Sequence, residues 1–184
     1  MDRLVFNCEI SSGMGMYSEL AFPTHAQIQG LPKDWSDNMF RGSLNAAVID
    51  YPVELSALGE GFRVQKLDNK KFTPAVVIPQ TAIGNNSLGP RGNDTERGTG
   101  QAWRAQINVT KTGEKADVWA VRRIGSAYND IIELMSDMKL RDHLRLKDGD
   151  KIELTLFAGD VRPAATPHPP ANDVRPGWRK VLGL

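Results

Sequence analysis

Short stretches in which apolar and polar side chains alternate recur along this chain, and they constrain its fold more than any other feature. Every second residue is apolar over residues 4–10 and again over residues 103–109. A period of two is typical of a β-strand with one buried face, because successive side chains of a strand point to opposite faces. Turns rich in Gly, Pro and Asp separate such stretches, which predicts a mainly β fold built as a small barrel with long inserted loops. Further strand candidates are residues 45–49, 61–66, 74–79, 116–121 and 152–156.

Helical patterning is confined to a short segment near the end of the chain. Leu140 and Leu144 lie one helical turn apart within residues 138–146, which predicts one short helix before the last strand. Residues 23–39 are interrupted by glycine and proline, so we expect only short turns there. The large side chains expected to be buried in and just after that segment are Ile28, Leu31, Trp35 and Phe40.

The length of the chain, 184 residues, suits one domain with appendages. Residues 84–100 hold five glycines and one large apolar side chain, which predicts a flexible insertion that contributes little to the core. Residues 159–184 are rich in proline, which predicts an extended tail. We therefore expect a single barrel domain over residues 1–158.

The charge balance gives no global attraction to nucleic acid or to a membrane, since 23 basic and 22 acidic residues leave a net charge of +1. Nucleic-acid binding stays open only through a local basic face, which would need several arginines to lie together. The single cysteine, Cys8, has no disulfide partner within the chain and is expected to be a small buried core residue. With no signal-like or membrane-length apolar run, we expect a cytoplasmic protein. The arginines that could form the basic face are Arg91, Arg97, Arg104, Arg122 and Arg123.

The three histidines lie far apart and no Walker lysine motif is present, so neither a zinc site nor a standard P-loop is expected.

Two local motifs contain residues that could bind a ligand. The glycine-containing segment 11–15 follows a strand, and its backbone N–H groups could hold an anion or a nucleobase edge, or form only a turn. Ser43 and Asn45 are two residues apart, so both could offer oxygen to one hard cation such as Mg²⁺, or could only stabilise a turn.

In order, these motifs resemble the archaeal CTP-dependent riboflavin kinase family, whose fold is a six-stranded cradle-loop barrel. The family's Ser-Gly-x-Gly-Glu-Gly loop is similar to Ser12-Gly13-Met14-Gly15-Met16-Tyr17, with Met-Tyr in place of Glu-Gly. Its Gly-Thr-Leu-Asn signature is similar to residues 42–45, Gly-Ser-Leu-Asn. Its acidic segment and Lys-Asp-Gly-Asp turn resemble residues 130–141 and 147–150. The resemblance covers about residues 4–157.

This resemblance implies a phosphotransferase that uses CTP and Mg²⁺ to phosphorylate riboflavin or a similar hydroxyl acceptor. It implies metal contacts from Ser43 and Asn45. Phosphate neutralisation is expected from Arg122 or Arg123, and orientation of the acceptor from Asp130 or Glu133. The alternative is a barrel without kinase activity that binds a ligand, a protein or nucleic acid. The residues expected to contact the nucleotide are Ser12, Gly13, Met14, Gly15 and Tyr17.

Overall fold

The computed structural model describes residues 1–13, 22–59, 61–68, 71–79, 99–126 and 128–162. Its helices are short: one α-helix, α1 (Leu140–His143), and two 3-10 helices, Val53–Leu58 and Arg63–Asp68. No helix among the described residues is long and apolar enough to cross a membrane. The strands are β1 (Arg3–Ser11), β2 (Leu44–Asp50), β3 (Val76–Ile78), β4 (Gly100–Val109), β5 (Lys115–Arg123), β6 (Ile131–Met135) and β7 (Lys151–Phe157).

Six of these strands close into an antiparallel barrel. Around the barrel the order is β4-β5-β6-β2-β1-β7, and β7 pairs back onto β4. The closing edge of β4 is divided between two partners, because residues 104–109 pair with β7 whereas residues 100–102 pair with the extra strand β3. The mainly β barrel predicted from the sequence is confirmed.

The barrel interior is filled by the apolar side chains that alternate along its strands. Phe6, Cys8, Trp103 and Leu134 are all fully or almost fully buried within one cluster. Burial raises the pKa of the Cys8 thiol to about 12, because the thiolate would lose its hydration. Cys8 is therefore an inert core residue, as its place on the strand predicted.

A second apolar cluster lies on the outer face of the barrel and holds the long connection between β1 and β2. The rings of Trp35 and Trp119 lie 5.0 Å apart, and Leu31 packs in the same cluster. Asp34, which is exposed, adds an ion pair with the buried Arg104 of β4, with Asp34 Oδ2 2.6 Å from Arg104 Nε. These contacts fix the segment that leads into β2.

Three details of the fold differ from the sequence prediction. Residues 61–66 are not a strand: a 3-10 helix spans Arg63–Asp68, where Val64 and Leu67 share the spacing of three that buries one face. β6 was not among the strand candidates, since its sequence Ile-Ile-Glu-Leu-Met has no clear alternation. Phe40 is 40% exposed rather than buried.

The flexible insertion proposed for residues 84–100 and the proline-rich tail at 159–184 lie mostly outside the described residues. Residues 99–100 and 159–162 are described, and Gly100 already belongs to β4. The division into a domain at 1–158 and a tail therefore stays a prediction.

Candidate functional site

A pocket of about 460 Å³ opens on the outer side of the barrel, where β1 ends and β2 begins. The last residues of β1 and the first of β2 form one side, together with Glu133 of β6. Residues 40–43, Ser136 and residues 138–141 form its rim. The pocket therefore brings together segments that are about 30 to 130 residues apart in the sequence.

The polar floor of the pocket is a row of side chains in register across three strands. Ser11 pairs with Asn45, and Asn45 pairs with Glu133. Their neighbours Ile10 and Leu134 belong to the barrel core, so the alternation of each strand turns the row outward. The same strands therefore present an apolar face to the barrel core and a polar face to the pocket.

The hydrogen-bonding capacity of this row is only partly used. Ser43 Oγ donates to Glu133 Oε1 at 3.2 Å, which orients that carboxylate. Asn45 as a whole residue is only 5% exposed, and none of the hydrogen bonds among the described residues uses its side-chain amide. Ser11 Oγ is likewise buried without a partner. Buried polar groups are usually hydrogen-bonded, so unused groups at a pocket indicate a place for a ligand.

Gly13 contacts the same asparagine from the glycine loop. A Cβ added at Gly13 would lie 2.5 Å from Asn45 Nδ2, closer than a side-chain carbon can approach. The loop therefore packs directly on the Asn45 amide, and any larger residue at position 13 would have to displace that amide.

The donor groups on this floor fit a magnesium ion. The Ser43 hydroxyl and the Asn45 amide oxygen are hard oxygen ligands of the kind that Mg²⁺ prefers, and the Glu133 carboxylate lies beside them. Mg²⁺ keeps several waters and takes few protein ligands when it is bound with a nucleotide. Among the described residues no group of three acidic, histidine or cysteine side chains is placed to hold a metal ion.

Three cationic side chains also line the pocket, and the sequence analysis did not select them: Arg41, Lys139 and Arg141. Arg141 Nη2 donates to Asp148 Oδ1 at 2.6 Å and to the Ser11 carbonyl at 3.0 Å. Lys139 and Arg141 belong to the segment whose resemblance to the family was already evident. That resemblance was the one signal that could have found them.

The arginines expected to neutralise phosphates do not line the pocket. Arg122 is 6% exposed and contacts Asp68 through Nε at 2.5 Å and Nη2 at 3.2 Å, and its Nη1 donates to the Tyr128 carbonyl at 2.9 Å. Arg123 also lies outside the pocket lining. Because Arg104 and Arg122 are buried in ion pairs, neither contributes to an exposed basic face. The other proposed members of that face, Arg91 and Arg97, lie outside the described residues.

The two acidic candidates are separated by the structure. Glu133 lines the pocket, whereas Asp130 contacts the Arg63 guanidinium and accepts a hydrogen bond from Tyr51 Oη at 2.7 Å. Arg63 and then Tyr51 hold the pKa of Asp130 below its usual range, because both stabilise the carboxylate. Asp130 is thus engaged in holding two surface segments together.

Of the residues expected to contact a nucleotide, some line the pocket and others lie outside the described residues. Gly13 and Ser12 line the pocket, but the Ser12 hydroxyl is directed to Asp148 Oδ2, at 2.5 Å. Met14, Gly15 and Tyr17 lie outside the described residues.

Comparison of the sequence with known proteins points to one family. Residues 86–156 match the family model of the CTP-dependent riboflavin kinases, described as the domain of unknown function DUF120. A riboflavin kinase of Thermofilum pendens is 30% identical over 123 residues, which cover 64% of this chain and 43% of that relative. Both comparisons confirm the resemblance to the CTP-dependent riboflavin kinase family that the sequence motifs indicated. The family match contains Glu133, Lys139 and Arg141, and the chain spans less than half the length of its curated relative.

Proposed function

We propose that the pocket is the active site of a riboflavin kinase-like phosphotransferase. In this proposal the γ-phosphoryl group of CTP is transferred to a hydroxyl of riboflavin or a similar acceptor. The observation that carries it is the buried Asn45 amide, which no hydrogen bond among the described residues uses, beside Ser43, Glu133 and three cations. The similarity to the CTP-dependent riboflavin kinases supports a nucleotide and a flavin as substrates.

We infer a role for each part of the pocket from the positions of its side chains. Ser43 and Asn45 would hold Mg²⁺, which would supply positive charge to stabilise the phosphates of the nucleotide. Ser43 donates a hydrogen bond to Glu133, so the lone pairs of the Ser43 oxygen stay available for a cation. Arg41, Lys139 and Arg141 would bind the remaining phosphate charge, in place of the arginines expected from the sequence.

The transfer itself requires little covalent chemistry from the protein. The acceptor oxygen forms a bond to the γ-phosphorus while the bond from that phosphorus to the β-phosphate oxygen breaks, and CDP leaves. Glu133 accepts the proton of the acceptor hydroxyl, and the hydrogen bond from Ser43 keeps its carboxylate in place. Catalysis is then mainly positioning and charge stabilisation.

The apolar side of the pocket suits a planar ring. Phe40 is 40% exposed and lines the pocket, together with Met138 and Leu140. Its backbone N–H donates to the Ser136 carbonyl at 2.8 Å, which joins the two rims. An exposed aromatic ring held in this way can stack on a nucleobase or a flavin.

The decisive experiment measures FMN formed from riboflavin with CTP, or with ATP, in the presence of Mg²⁺. We expect FMN with CTP, and loss of activity in the double variant Ser43→Ala, Asn45→Ala. Asn108→Ala is the matched control, because Asn108 is a half-buried strand residue outside the pocket. If the wild-type protein forms no FMN and no nucleotide raises its melting temperature at millimolar concentration, the kinase proposal is wrong and a non-catalytic barrel replaces it.

A further inference from the structure

Asp148, in the turn before β7, joins the glycine loop to the pocket. Its Oδ2 accepts from Ser12 Oγ at 2.5 Å, and its Oδ1 accepts from Arg141 Nη2 at 2.6 Å. The same Nη2 donates to the Ser11 carbonyl at 3.0 Å. One carboxylate thus holds the end of β1 and a pocket arginine in a single hydrogen-bonded group.

The turn that carries Asp148 is itself fixed against β1. The Gly149 N–H donates to the Ile10 carbonyl at 2.9 Å, and the Ile10 N–H donates to the Asp150 carbonyl at 2.8 Å. Gly149 has a φ of 87°, which favours glycine at this position of the turn. Asp148 is therefore held by a rigid backbone, although its side chain is 52% exposed.

Arg141 keeps free donors despite this pairing. Its guanidinium carries five N–H groups, and the hydrogen bonds among the described residues use Nη2 but neither Nε nor Nη1. The side chain is 30% exposed and lines the pocket. Nε and Nη1 can therefore still bind an anion.

We propose that Asp148 is a positioning residue, which holds the Arg141 guanidinium so that its remaining N–H groups bind a phosphate of the nucleotide. This inference rests on the function proposed above. An arginine that is already ordered loses less side-chain freedom when an anion binds, and so binds it more tightly. Asp148 itself does not touch the substrate.

The sign of the effect separates positioning from simple electrostatics. Asp148 is an anion close to the pocket, so removing its charge would strengthen phosphate binding if only the long-range field mattered. Positioning predicts the opposite, because the Arg141 side chain is released. Asp148→Asn therefore distinguishes the two explanations by direction.

The test titrates Mg²⁺–CTP and, separately, inorganic tripolyphosphate into the full chain and its variants by calorimetry. We expect Asp148→Asn to weaken both ligands about tenfold, the loss of one well-placed charged hydrogen bond. Asp150→Asn is the matched control: it removes the same charge from the same turn, but Asp150 pairs with Lys111 rather than with Arg141. We expect less than a twofold change there. In steady-state assays Asp148→Asn should raise KM for the nucleotide more than it lowers kcat.

A double-mutant cycle makes the test independent of folding. In an Arg141→Lys background, Asp148→Asn should have no further effect on tripolyphosphate binding, since the guanidinium that it positions is gone. If Asp148→Asn binds tripolyphosphate like Asp150→Asn or more tightly, the inference is wrong, even where the protein makes FMN. If polyphosphate binds through Arg141 but no FMN forms, the inference stands and the kinase proposal fails. If the wild-type protein binds no polyphosphate, both are wrong.

Discussion

Arg122 and Arg141 both contact an aspartate, yet the structure uses them differently. Three nitrogen atoms of Arg122 are engaged, two by Asp68 and one by the Tyr128 carbonyl, and its side chain is 6% exposed. Arg141 uses one nitrogen atom and its side chain is 30% exposed. Arg122 lies at the end of the barrel wall, whereas Arg141 lies at the edge of a pocket.

The difference shows that an ion pair alone does not reveal what an arginine does. A guanidinium with all three nitrogen atoms held by the protein cannot turn to bind a ligand without breaking those contacts. A guanidinium held by one nitrogen is oriented and still has donors to offer. We therefore expect Arg122 to contribute to stability and Arg141 to contribute to binding.

The largest expected effect is on stability and tests the first half of that comparison. Arg122→Met leaves the largely buried Asp68 carboxylate without its partner, which should lower the free energy of unfolding by about 3 kcal/mol. Urea denaturation monitored by tryptophan fluorescence measures this. A loss below about 1 kcal/mol would show that the pair is not structural.

The second effect is on binding and tests the other half. Arg141→Ala should lower the affinity for Mg²⁺–CTP by at least tenfold, because it removes a charged hydrogen-bond donor to phosphate. Its partly exposed ion pair should contribute less than about 1 kcal/mol to stability. Calorimetric titration together with urea denaturation measures both quantities. Equal stability losses in the Arg122 and Arg141 variants would invalidate the comparison.

A third variant tests whether the pocket floor depends on the close approach of the glycine loop. Gly13→Ala places a Cβ against Asn45 Nδ2 and should displace that amide, weakening Mg²⁺-dependent nucleotide binding about tenfold. Gly30→Ala is the control, because its φ of 84° is strained by alanine but no atom lies within 4 Å of the added Cβ. That control should cost about 1 kcal/mol of stability and leave binding unchanged.

The smallest expected effect is a dependence of stability on pH. Ser12 and then Arg141 hold the pKa of Asp148 below its usual range. The folded state therefore favours the carboxylate, and this contribution is present above the ordinary carboxyl pKa of about 4 and is lost as the pH falls through the lowered value. Thermal melts between pH 5 and 3 should show a slightly shallower decline for Asp148→Asn than for the wild type. Parallel profiles would show that the pairing adds nothing in solution.

The sequence predicted those parts of the molecule that depend on local periodicity. Alternation identified most of the strands, and the spacing of Ser43 and Asn45 gave two residues that do line the pocket. The 3-10 helix at Arg63–Asp68 was not predicted, because its apolar spacing of three residues occurs only once.

The role of the arginines could not be read from the sequence, because it depends on distant partners. Asp68 is 54 residues from Arg122, so no local pattern indicates that it occupies this guanidinium. Whether Arg41 and Arg141 face the pocket depends on how β1, β2 and β6 meet, which is a property of the closed barrel.

The pairing of β7 has a consequence for the order in which this chain can fold. β7 pairs along one edge with β1, at the start of the chain, and along the other with β4. Until residues 151–157 have left the ribosome, β1 lacks one of its two neighbouring strands and the barrel stays open. Contacts between such distant parts of a sequence form slowly. We expect a nascent chain that ends before β7 to expose apolar surface and to need protection from aggregation until the last strand arrives.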